Sequence, residues 1–176
     1  VAVDRMGLAQ AVAEVSDKIV SGDLMVALGV PIPLYGIPAF KRVARIMLPF
    51  VSHFPMSMIF YGSDGAEHEP KYVKYFEESD LIAGDFLFMR KYMPKCLAGK
   101  TVVTNTTTED NIALLKERGV KTVITTTPRY DGRSFGTNTT EAMLTAYAGK
   151  GRRLTDDELN ELIDELGLKP SEMRLN

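Results

Sequence analysis

Short apolar runs in this chain repeatedly end on polar clusters, and that recurrence limits the fold more than any other feature. Val1-Ala2-Val3 runs into Asp4-Arg5-Met6-Gly7, Lys18-Ile19-Val20 into Ser21-Gly22-Asp23, and Leu81-Ile82-Ala83 into Gly84-Asp85. Thr101-Val102-Val103 runs into Thr104-Asn105-Thr106, and Thr122-Val123-Ile124 into Thr125-Thr126-Thr127, with Gly132-Arg133-Ser134-Phe135-Gly136-Thr137-Asn138 beyond. Brief apolar runs bounded by turn residues read as buried parallel strands. In an open parallel α/β sheet the carboxyl ends of the strands line one crevice, and ligands bind there. The pattern therefore places a ligand site before it says what the site does.

Strands are expected to end at Val3 and to cover 18–21, 56–61, 81–83, 101–104 and 120–125. Helices are expected over 8–15, 38–54, 71–78 and 139–148. The expected fold is a Rossmann-like, doubly wound parallel sheet of about six strands in the order 3-2-1-4-5-6, with helices on both faces, because parallel strands need right-handed crossovers. Asp4 to Gly7 and Gly84 to Phe86 would then face each other at the switch point, and Asp4, Asp23, Asp85, Asn105 and Thr127 would share one rim. Thr106 and Glu109 fit a capping box at the start of a helix that Gly119 ends. Thr155 and Glu158 fit a second box, ahead of a face made by Leu159, Leu162, Ile163 and Leu166 that Gly167 and Pro170 terminate.

A chain of 176 residues, 45% hydrophobic, is enough for one well-cored domain spanning 1–176. Its formal net charge of -2 provides no basic field for a nucleic acid. With one cysteine, Cys96, and two histidines far apart, His53 and His68, neither a disulfide nor zinc spacing exists, which suits a reducing cytoplasm. The apolar stretch from Ile37 to Tyr61 is broken by Lys41, Arg42, Arg45, Pro49 and Pro55, so it does not read as a membrane span. Its apolar residues exceed one helical stripe, and a homodimer or interdomain surface through 37–61 is the expected use. Because Val1 opens directly on a strand, a preceding N-terminal domain is expected to be missing from this chain.

Two loops carry candidate binding residues. In a dinucleotide fold the turn Asp4-Arg5-Met6-Gly7 lets a pyrophosphate approach a helix start, with Asp23 near the spacing of about 20 residues at which a carboxylate takes ribose hydroxyls. A plain tight turn and a helix cap are the alternatives. From Gly132 to Asn138, two glycines, Arg133, Thr137 and Asn138 lead into a helix, where amides and a guanidinium would hold an anion. The alternative is a glycine loop with a simple N-cap. Three hydroxyls ending at Thr127 suit a polar ligand beside it. No D-x-D spacing supports a metal held by Asp4, Asp23 and Asp85, so no metal is expected.

The run from Ser79-Asp80-Leu81-Ile82 through Thr101-Val102-Val103, Gly119-Val120 and the segment Thr140 to Lys150 resembles the nucleotide-binding half of the shikimate and quinate dehydrogenases. More closely, Val3 to Gly7, Gly22 to Met25, Pro31 to Leu34, Ala83 to Phe86 and Arg133 to Asn138 resemble bacterial proteins labelled quinate 5-dehydrogenase. This resemblance implies a cofactor-binding domain of an NAD(P)-dependent oxidoreductase that transfers hydride at an alicyclic alcohol. Asp4, Arg5, Met6 and Gly7 would hold the cofactor together with Asp23, Gly84 and Asp85. Asn105, Thr106, Thr127, Gly132, Arg133, Gly136, Thr137 and Asn138 would complete the site. Asp23 favours NAD over NADP, because it repels a 2′-phosphate. The dehydrogenases' catalytic Lys and Asp belong to an N-terminal substrate domain, which is expected to be missing from this chain, so no catalytic residue can be named here. A non-catalytic Rossmann-like module that binds a nucleotide or phosphorylated metabolite stays open beside the enzyme.

Overall fold

Where burial alternates along the chain it forms strands, and where apolar residues recur every three or four positions it forms helices. A computed structural model describes residues 6–16, 18–27, 30–51, 53 and 70–176, and the chain divides into two units, Val1–Cys96 and Leu97–Asn176.

In the first unit α1 (Met6–Val15), β1 (Val20–Ser21), α2 (Asp23–Ala27), β2 (Leu34–Tyr35) and α3 (Gly36–Val51) precede α4 (Val73–Glu78), β3 (Leu81–Ala83) and α5 (Phe86–Tyr92). α1 packs on α3, and Ala9, Val12 and Phe40 are buried. Pro38 sits in the first turn of α3, where its missing N–H costs no hydrogen bond. Lys41, Arg42 and Arg45 are exposed, and Ile46 keeps 59% of its surface in solvent. Among the described residues no helix is long and apolar enough to cross a membrane. Phe86, Met89 and Tyr92 bury one face of α5, which packs on α2. Asp85 caps α5, its Oδ1 accepting the Leu87 amide at 2.9 Å.

The second unit contains β4 (Thr101–Thr104), α6 (Glu109–Glu117), β5 (Thr122–Thr125), β6 (Arg129–Tyr130), β7 (Arg133–Ser134), α7 (Thr137–Ala148), α8 (Asp156–Glu165) and β8 (Ser171–Arg174). β4 and β5 run parallel with Thr101 opposite Thr122 and Thr104 opposite Thr125, joined through α6 as a βαβ unit. Val102, Thr104, Val123 and Thr125 are buried on alternate positions, with Leu115 of α6 and Leu144 of α7 also in the core. α6 ends at Gly119, whose φ of 81° is left-handed and whose added Cβ would lie 3.2 Å from Ala98 Cα. Its amino end differs from the expected box: Thr108 is the cap, accepting the Asn111 amide, while Thr106 has a φ of 52°.

The box on α8 forms as read from the sequence, with Thr155 and Glu158 exchanging side-chain and backbone bonds. Hydrogen bonds from Arg152 and Lys150 hold the Glu158 carboxyl well below the usual carboxylate range. A carboxylate whose pKa is depressed by folding contributes stability above its unfolded pKa and loses it only as pH falls through the folded value. In an NMR titration Glu158 should therefore stay ionised from about pH 5 down to pH 3, where ordinary glutamates protonate. A midpoint near the normal value would show that Arg152 and Lys150 do not hold it.

The doubly wound parallel sheet is not formed. No sheet among the described residues exceeds four strands, β1 pairs only with β2 and antiparallel, and β8 lies antiparallel on β5, giving a mixed sheet. The order 3-2-1-4-5-6 falls with it. The expected strands at 1–3 and 56–61 lie outside the described residues. The physical reason lies in the connections: between β1 and β2 the chain has one short helix and the Pro31-Ile32-Pro33 turn, so it comes back beside β1 instead of crossing over. After α8, Gly167 takes a left-handed φ of 61° and Pro170 stops any helix, so Ser171–Arg174 returns against β5.

Candidate functional site

Parallel strands send their carboxyl ends to one edge, and β4 and β5 put Asn105 and Thr127 there together. Beyond β5 the chain makes a hairpin that no strand was expected to fill. Arg129 pairs with Ser134 and Tyr130 with Arg133, across a two-residue loop in which Asp131 and Gly132 have φ of 46° and 77°. Two positive angles in succession are those of a type I′ turn, for which Asp-Gly is a preferred pair. The sequence signal for this hairpin was Asp131-Gly132 itself. A Cβ on Gly132 would also overlap the Glu109 side chain.

A buried polar cluster fixes the hairpin to the β4 exit. Ser134 donates its amide to the Thr107 carbonyl at 2.9 Å, the Thr107 amide donates to Ser134 Oγ at 3.0 Å, and the two hydroxyls lie 2.7 Å apart. Arg129 Nη1 donates to Thr107 Oγ1 at 2.8 Å and Nη2 to the Gly132 carbonyl. Thr127 Oγ1 donates to the Phe135 carbonyl at 2.6 Å, and Thr125 Oγ1 to the Thr127 carbonyl at 2.9 Å. The guanidinium inside this loop is thus Arg129, which the sequence reading missed, whereas Arg133 is exposed. Glu109 over Gly132 brings a negative charge to that end of the loop, so the anion-compatible part narrows to Gly136–Asn138.

That part begins α7. Gly136 is the N-cap with no side-chain hydrogen bond, and its carbonyl accepts the Thr140 amide at 3.1 Å. The amides of Thr137, Asn138 and Thr139 precede the first helical bond and point out of the helix start. Gly136 has φ -65° and ψ 150°, an extended backbone open to any residue, so its smallness matters for space alone. A Cβ there would stand 3.3 Å from Thr106 Oγ1, which itself donates to Asn105 Oδ1 at 3.3 Å. The β4 exit and the α7 start therefore meet, bringing Asn105, Thr106, Gly136, Thr137 and Asn138 to one place. The hydroxyl oxygens of Thr126 and Thr137 are buried and have no hydrogen-bond partner among the described residues. Native chains leave few such groups without a water or ligand to complete them.

In the first unit Asp23, Gly84 and Asp85 take part in local structure. Asp4 and Arg5 lie outside the described residues. Met6 starts α1, and Gly7 is exposed in its first turn with open space where a Cβ would stand. The Asp23 carboxylate accepts the Ser21 hydroxyl at the start of α2. Gly84, buried with φ 152°, links β3 to the Asp85 cap of α5. The large cleft of this unit, about 960 Å³, is lined at Lys18–Val20 and Ser79–Leu81, the amino ends of β1 and β3. Partial burial and the neighbouring Tyr35 phenol raise the Tyr75 hydroxyl beside it. Among the described residues no group of three His, Cys, Asp or Glu side chains is placed to hold a metal ion.

No curated protein and no solved structure matches this chain. One family model matches residues 1–175, and the chain belongs to that family, described as Domain of unknown function (DUF8754).

Proposed function

We propose that residues 97–176 bind the anionic group of a small metabolite, a nucleotide or a phosphorylated compound, at the amino end of α7. The observation that carries this reading is the uncapped start of α7 beside the Asn105 and Thr106 polar groups. Backbone amides at a helix start and the helix dipole both favour a negative charge. Rigidity supports it too, because the Arg129, Thr107 and Ser134 bonds hold the loop in place before any ligand arrives. NAD is the first nucleotide to try, since the chain resembles proteins labelled quinate 5-dehydrogenase. A hydride-transfer role would draw its reacting groups from outside this anion site. Cys96, exposed and unpaired, is compatible with a reducing cytoplasm.

Calorimetric titration of the full chain with inorganic phosphate, NAD and NADH tests the proposal. Gly136→Val should weaken binding about tenfold to a hundredfold, because the added methyls crowd Thr106 and the amides behind it. Arg133→Ala removes an exposed cation and should cost less, through lost electrostatic attraction. Binding that is equal in the wild type and Gly136→Val would move the ligand away from α7. Binding of NAD but not of phosphate would assign affinity to the nucleoside; no binding of either would end the proposal.

A further inference from the structure

β8 closes one side of its sheet, with β5 on one flank and no strand on the other among the described residues. The Leu175 amide donates to the Lys121 carbonyl at 2.9 Å, and the register sets Met173 opposite Val123 and Arg174 opposite Thr122. In an antiparallel ladder hydrogen-bonded and non-bonded pairs alternate. Leu175 and Met173 therefore turn their backbone groups to β5, while Glu172 and Arg174 turn theirs outward. Both of those residues are exposed. The edge thus offers two amides and two carbonyls, with a negative and a positive side chain on the same face.

An unpaired edge of this kind is a template for another strand. A second copy pairing antiparallel about a twofold axis must set outward-facing residues against each other, and the axes that keep both Glu172 and Arg174 paired within 170–176 lie at Glu172, Met173 or Arg174. An axis at Glu172 opposes Glu172 to itself and faces Arg174 with Pro170, which has no N–H. An axis at Arg174 opposes two arginines. Only an axis at Met173 sets Glu172 against Arg174 of the copy, twice, with all four outward amides and carbonyls of each pair matched. From this we infer that β8 is an isologous dimer edge, joining two copies into one continuous sheet through reciprocal Glu172 and Arg174 pairs.

The strand is short, so the dimer is weak and depends on concentration. Sedimentation equilibrium of the full chain over a wide concentration range, up to millimolar, measures it. Glu172→Arg and Arg174→Glu each put like charges opposite one another twice and should weaken association about tenfold. The double exchange E172R/R174E restores unlike pairs and should recover the wild-type dissociation constant. Glu172→Pro removes an outward amide that β5 does not use and should also abolish the dimer, with circular dichroism confirming that the fold is retained. A wild type that stays monomeric at millimolar concentration overturns the inference. So does a dimer insensitive to either single reversal, or a double exchange that fails to recover association.

Discussion

Arg129→Met should destabilise the full chain by about 2–4 kcal/mol, read as a lower midpoint in urea unfolding with an unchanged slope. The guanidinium donates to Thr107 Oγ1 and to the Gly132 carbonyl, and a hydrogen bond from a charged group contributes about 1.5–3 kcal/mol. Methionine keeps much of the packed stem and leaves the Gly132 carbonyl without its donor. Thr107 keeps Ser134 as a partner, which holds the loss below the sum of two bonds. Arg129→Lys should fall between, since one ammonium cannot span both acceptors as the planar fork does. A change under about 0.5 kcal/mol for Arg129→Met would mean that the hairpin is held by its turn and strand bonds alone. The same variant should also weaken phosphate binding at the α7 start, because the loop that presents Gly136 loses its anchor.

Phe86→Ala should cost more, about 3–5 kcal/mol, the usual range for emptying the space of a buried phenylalanine. Phe86 has no exposed surface and heads the buried face of α5 with Met89 and Tyr92. Phe86→Leu should cost far less, since most of the volume is kept. Its neighbour provides the contrast: Asp85→Ala removes a helix cap, worth about 1 kcal/mol. If Asp85→Ala leaves stability nearly intact and instead abolishes nucleotide binding, then Ala83-Gly84-Asp85-Phe86 is part of a ligand site and the capping account is incomplete. A small effect of Phe86→Ala would show that this end of the unit is loosely packed.

Local elements were legible wherever the signal is short in range. The strands 81–83 and 101–104 appear where the apolar runs lie, α8 starts at its Thr155 and Glu158 box, and α6 ends at Gly119. Each of these depends on residues within a turn of one another, so sequence order carries them. Asn105 and Thr127 were placed on one edge for a similar reason: both follow strands joined by a single helix, and that connection makes the strands parallel.

Strand direction elsewhere was settled by the tertiary structure. An apolar run of two to four residues looks the same whether its neighbour is parallel or antiparallel, and only the path of the intervening chain decides. Pro31-Ile32-Pro33 and the turn at Gly167 to Pro170 send β2 and β8 back antiparallel, where no strand had been read. The loop chemistry was decided in the same way. Arg133 and Arg129 are equally cationic in sequence, but the Asp131-Gly132 turn folds the hairpin so that Arg129 reaches Thr107 and leaves Arg133 in solvent. Thr106 and Gly136 are thirty positions apart, and their approach exists only because the β4 exit and the α7 start close on each other. Sequence alone determined which groups can donate to an anion, because donor capacity belongs to the residue type. Which of them converge depended on the chain's path through space, which carries long-range contacts that no local spacing encodes.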